Sequence, residues 1–133
     1  MDNVGLMNYW IESAEDDFES MLVLYEKKRF THSLFFGHLM IERLLKGLFA
    51  KQNPEQPHAP KSHNLLFLAK KCNLEMDNNK ENILDHITKF NTEARYEDEK
   101  REFHRQCTKD FTTSQIEIIK EIQKWLKEKL TQA

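Results

Sequence analysis

The sequence predicts an all-α fold, an antiparallel bundle of four to five helices in a single domain spanning 1–133. Three observations predict it. Apolar residues recur at three- and four-residue spacing through several long segments, and no segment shows the two-residue alternation of a strand. The chain holds three glycines and three prolines, and all three prolines fall within residues 53–61, so the remainder carries few helix breakers. Its length of 133 residues suits one hydrophobic core, because dividing it would leave each half marginal.

The first helix is expected over about residues 6–28, where Trp10, Ala14, Phe18, Met21, Leu22 and Tyr25 share a stripe. After a short turn, Thr31 is placed to cap a second helix running to about Gln52. Apolar side chains cover most of its circumference, which predicts a central position with neighbours on several sides. The run NPEQPHAPKSH then breaks the helix, since each proline lacks an N–H donor and restrains the residue before it. Ser62 or Asn64 would cap a short third helix to about Cys72. Asn78 and Glu81 have capping-box spacing for a fourth, which fades near Ala94. Residues 94–111 are densely charged and weakly periodic and read as a loop with a helical turn at most. The last helix, capped by Thr112 or Ser114, carries Ile118, Ile119, Ile122, Trp125, Leu126 and Leu130 to about Thr131.

Composition narrows the function classes. Twenty basic residues against 22 acidic give a net charge of -2, which argues against holding duplex nucleic acid by bulk electrostatics, although a local basic patch remains open. Cys72 and Cys107 form no CxxC pair, so neither a zinc ribbon nor a disulfide framework is expected, and a reducing cytoplasm fits. The N-terminus lacks a basic region followed by a long apolar run, so no signal peptide is expected. Residues 34–49 are apolar but include His38, Glu42, Arg43 and Lys46, too short and too charged for a membrane span.

Chemistry concentrates in two places. His38, Glu42 and Lys46 are four apart, about 40° from one another on an ideal helix, and form one polar line on the most apolar element. One reading is structural: Glu42 pairs with Lys46, and His38 satisfies a neighbouring element. The other is a cleft in which Glu42 serves as acid, base or acceptor and Lys46 binds phosphate. His38 with Glu42 supplies at most two metal ligands, and His58 and His63 lie in the proline-rich loop, so no metal and no cofactor are expected. No nucleophile elbow or phosphate-cradling glycine loop occurs. The second place is the charged segment, where Arg95, Lys100, Arg101, His104, Arg105 and Lys109 interleave with Tyr96, Phe103 and Phe111. Glu93, Glu97, Asp98, Glu99 and Glu102 nearly cancel those bases, which favours a solvated, salt-bridged loop.

The order YW, AEDDF at 14–18, HLMIERLLKGL at 38–48, SHNLLFLA at 62–69, FNTEARY at 90–96 and WLKEKL at 125–130 resembles HEPN-domain proteins of prokaryotes over nearly the whole chain. The most specific parts are Glu42, Leu45 and Lys46 of the E-x-x-L-K core, and Ala94, Arg95 and Tyr96 of the ARY; family members usually follow that tyrosine with proline, where this chain has Glu97. The resemblance implies a helical bundle that dimerises around a shared cleft. It also implies an activity as an RNA-cleaving toxin of a toxin–antitoxin pair, or as the partner of a small nucleotidyltransferase-like protein. Ribonuclease members carry an arginine and then a histidine four to six residues later, whereas here Arg95 precedes His104 by too much and Arg101 by too little. Carried over position by position, Asp17 matches the helix-one aspartate, Glu42 and Lys46 the helix-two motif, and Arg95 and Tyr96 the ARY. The resulting expectation is a cytoplasmic homodimer in which Asp17, His38, Glu42, Lys46, Arg95 and Tyr96 border a cleft for a nucleotide or RNA phosphate, without catalysis. The alternative is a divergent metal-independent ribonuclease with His104 or His38 as acid and base and Arg95 as the phosphate clamp, Arg101 being a further candidate.

Overall fold

The computed structural model describes residues 2–95 and 97–132, and among these the chain forms six α-helices: α1 (Asn3–Glu26), α2 (Phe30–Gln52), α3 (Leu65–Lys71), α4 (Asn78–Glu93), α5 (Glu97–Gln106) and α6 (Lys109–Thr131). The all-α bundle agrees with the sequence, and the count exceeds the four to five expected because the charged segment contains a full helix.

Helix α2 is the hub, packing against α1, α3, α4, α5 and α6. Leu34, Met40, Ile41, Leu44, Leu45 and Leu48 are all but fully buried around its circumference, which explains why no single apolar stripe could be assigned to it. Helix α1 begins at Asn3, because the Asp2 carboxylate accepts from the Gly5 N–H at 2.7 Å. It folds back through a turn in which Lys28 takes a left-handed φ of 61°. Gly37 marks the closest approach of the three long helices: a Cβ there would lie 2.7 Å from Ile119 Cδ1 and 3.0 Å from Met21 Sδ. Ser33 Oγ donates to Met21 O at 2.7 Å and ties the start of α2 to the middle of α1.

Caps set the other boundaries. Asn64 accepts from the Phe67 N–H, as expected, and Asp77 accepts from the Lys80 N–H one residue before the anticipated cap. Helix α6 starts earlier than expected, because Thr108 Oγ1 accepts from the Phe111 N–H at 3.2 Å; Thr112 is instead buried inside the first turn, donating back to Thr108 O. Helix α2 starts at Phe30 rather than after Thr31, and no side chain caps it. The expectation of a loop over residues 94–111 is corrected by α5. Its sequence is rich in Glu, Lys and Arg, which favour helix, and among the described residues its buried anchors are Phe103, stacked on Phe90 with centroids 5.5 Å apart, and, just past its end, Cys107. Two apolar positions are too few to register as a period.

Candidate functional site

The polar line of α2 is a closed network. Glu42 is 4% exposed; its Oε2 accepts from Lys46 Nζ at 2.9 Å and its Oε1 from His63 Nδ1 at 2.7 Å. His38, with no exposed surface, donates from Nε2 to the main-chain carbonyl of the same His63 at 2.8 Å. Both side chains of the line thus hold one residue of the proline-rich loop, His38 by its backbone and Glu42 by its ring. Lys46 Nζ also lies over the Trp10 ring, 5.4 Å from its centroid. Burial pushes the Glu42 carboxyl up, but the hydrogen bonds from Lys46 and His63 and the Lys46 charge outweigh it, and the pKa falls below the ordinary 4.5. Burial holds His38 below the usual 6.5. With Nε2 donating, the neutral tautomer leaves Nδ1 bare, and that atom is buried without a partner.

Asp17 sits on the core stripe of α1 between Ala14 and Met21, 3% exposed, and accepts from Arg43 Nη1 through both carboxylate oxygens at 2.8 Å. Burial dominates here and keeps its pKa above 3.8 despite the guanidinium. A buried carboxylate requires a hydrogen-bonding or charged partner, and Arg43, one-third exposed at its side chain, supplies it from α2, which its place beside Glu42 in the sequence did not announce.

A second group forms at the other end of α2. Thr31 and His32 in its first turn, with Lys100, Arg101, His104 and Arg105 on one face of α5, line a cavity of about 360 Å³. Thr31 and Glu42 are eleven residues apart on one helix, about 16 Å along its axis, so the two groups are separate. Lys100, Arg101 and Arg105 bring positive charge to it, and among the described residues no carboxylate lines the cavity. Glu102 touches Arg105 at 3.5 Å with both side chains exposed, a contact worth little in solvent. Burial, joined by the smaller effect of the Glu93 charge, raises the Cys107 thiol to about 11. The Cys72 thiol, which donates to Leu45 O, is pushed by burial to about 12, so neither cysteine is a ready nucleophile. No side chain caps the amino end of α2, and its Thr31 and His32 line the same cavity, so the positive end of the helix dipole lies beside it.

Arg95 does not join the Asp17 and Glu42 groups. It lines a smaller depression of about 130 Å³ with Thr31, His32, Phe35 and Ala94, beside the cationic cavity, and its Nη1 donates to Asn91 Oδ1 at 3.1 Å. Tyr96 lies outside the described residues. Sequence reasoning passed over His32, a lone histidine in a helix start with no spacing relation to α5. Among the described residues no group of three or more His, Cys, Asp or Glu is placed to hold a metal ion, and no helix is long and apolar enough to cross a membrane.

The comparison with protein-family models decides the family: the HEPN domain model matches residues 7–130, from the second turn of α1 to the end of α6. The chain belongs to the HEPN family. The searches of curated proteins and of solved structures found no match to this HEPN domain. The residues by which the sequence resembles the family divide between two places, with Glu42 and Lys46 in the closed network and Arg95 beside the cationic cavity.

Proposed function

We propose that this HEPN domain is a binding module for the phosphate of a nucleotide or RNA, working as a homodimer and without cleavage. The observation that carries the reading is the cavity between α2 and α5, where Lys100, Arg101 and Arg105 face the open amino end of α2. Preorganised N–H donors and fixed positive charge in one concavity are what a phosphate group requires. By contrast, Lys46 already spends its charge on Glu42, so the α2 line is better suited to holding the fold than to receiving an anion. A net charge of -2 fits a small local anion site rather than an extended duplex track. The test is titration of the purified protein with nucleotides and a short fluorescent RNA, sized by light scattering. Saturable binding by a dimer, weakened by Arg101→Gln, supports the module; a protein that ignores all of them sends the search to protein partners such as a nucleotidyltransferase-like chain.

One observation favours a second reading, a metal-independent ribonuclease. His32 and His104 line the same cavity from different helices, so an acid and a base are available there without the arginine–histidine spacing of cleaving family members. RNA fragments that vanish in both His32→Ala and His104→Ala would establish it. Activity surviving in both variants would remove these histidines from the chemistry.

A further inference from the structure

The depression holding Arg95 and the cationic cavity share Thr31 and His32 as a common wall, so they adjoin each other at the start of α2. Their linings differ in kind. The larger one is cationic; the smaller is lined by Phe35, Ala94 and Arg95 besides the shared residues. At about 130 Å³ the smaller is below the size of an independent small-molecule site, and the larger, at about 360 Å³, is near the lower end of that range, so each makes better sense as half of one site. Arg95 is exposed, yet its guanidinium donates to Asn91, which is itself buried, so the planar group is held beside the depression it lines. Phe35 is half-buried and makes an edge contact with Phe36, which fixes its ring. Phe35 on α2 and Arg95 just after α4 thus bring an aromatic ring and a guanidinium to one small opening from two elements, and these are groups on which an unpaired base stacks.

We propose that the two depressions form one bipartite site for a nucleoside phosphate, with the phosphate against Arg101 and Arg105 and the base between Phe35 and Arg95. This rests on the phosphate-binding reading above and adds a base subsite to it. The ligand's common chemistry is one phosphate and one unstacked base, from a free nucleotide or from a single strand of RNA.

The experiment is calorimetric titration of the full chain with AMP, UMP, ribose 5-phosphate and a short 5′-phosphorylated oligoadenylate, in wild type, Phe35→Leu, Arg95→Gln and Arg101→Gln. Stacking on one base is expected to make the nucleotides bind about tenfold or more tighter than ribose 5-phosphate. Phe35→Leu and Arg95→Gln bring the nucleotides down to the ribose 5-phosphate level and leave ribose 5-phosphate unchanged, whereas Arg101→Gln weakens all ligands together. Because Arg95 is exposed, its variant stays informative should Phe35→Leu fold poorly. A tighter oligoadenylate with the same dependence on Phe35 identifies an RNA strand as the source, and equal affinity identifies the free nucleotide. Equal binding of nucleotides and ribose 5-phosphate by the wild type overturns the base subsite and leaves phosphate binding standing. No binding of any phosphate overturns both.

Discussion

Glu42 and His63 are 21 residues apart in sequence and in contact at 2.7 Å, and the same His63 offers its carbonyl to His38 one turn earlier on α2. A single loop residue is therefore clasped twice by the central helix, and the proline-rich segment before it is pinned at its end. The polar line of α2 accounts for itself by this clasp: three groups that would be expensive to bury alone satisfy one another and a loop.

Removing the buried acceptor should therefore be a stability defect. Glu42→Ala leaves Lys46, 13% exposed at its side chain, without its anion, and breaking a buried pair of this kind costs about 3 kcal/mol. Urea unfolding is expected to show a lower midpoint with an unchanged slope, while phosphate binding by the surviving folded protein stays within twofold of wild type. A variant as stable as wild type would show that the network contributes little.

Acid should loosen the same clasp. The His38 pKa lies below its unfolded value of 6.5, so between the two the unfolded chain binds a proton that the folded one does not, and stability is full above about pH 6.5 and declines below it. Glu42, also depressed, adds a second loss as pH falls below about 4.5. Asp17, raised above 3.8, works in the opposite sense and softens that loss. His38→Gln keeps a donor for the His63 carbonyl but does not titrate, so its melting temperature should be flatter between pH 7 and 5. Parallel curves for the two proteins would assign the acid sensitivity elsewhere.

The glycines of α2 give a packing test of opposite signs. Gly37→Ala drives a Cβ into Ile119 and Met21 and should lower stability by about 1 kcal/mol or more. Gly47→Ala meets Trp10 Cβ at 3.4 Å and Met7 O at 3.5 Å, an ordinary contact, so the gain in helix propensity should leave it neutral or up to about 1 kcal/mol more stable. Thermal melts of both variants decide it, and equal losses would mean that α1 packs on α2 as tightly at Gly47 as at Gly37.

The helices legible in the sequence were those whose burial is periodic: α1, α4 and α6 show stripes, and α2 declared its central place by having too many apolar positions for one stripe. Asn64 was one of the two caps offered for α3, the other being Ser62. Helix α5 was hidden because, among the described residues, Phe103 and Cys107 are its buried anchors, too few to show a period, and charge density there resembles a solvated loop. The Glu42–Lys46 pair followed from four-residue spacing, but His63 could not, since a proline-rich loop carries no period from which its return to α2 could be read. The cationic cavity was half visible. Lys100, Arg101, His104 and Arg105 stood out as bases and were offset by neighbouring acids in the count, whereas helical geometry sorts four of the bases onto one face and brings His32 to meet them from 68 residues before Lys100.

The most direct measurement is the affinity of a 5′-phosphorylated oligoribonucleotide for wild type and for the Arg101→Gln/Arg105→Gln double variant at two salt concentrations. Each lost charge-assisted contact is expected to weaken binding about tenfold, and the double variant should show a shallower dependence on salt, with folding unchanged because both side chains are exposed. Equal affinities and equal salt slopes in the two proteins would contradict the assignment of phosphate binding to the cavity between α2 and α5.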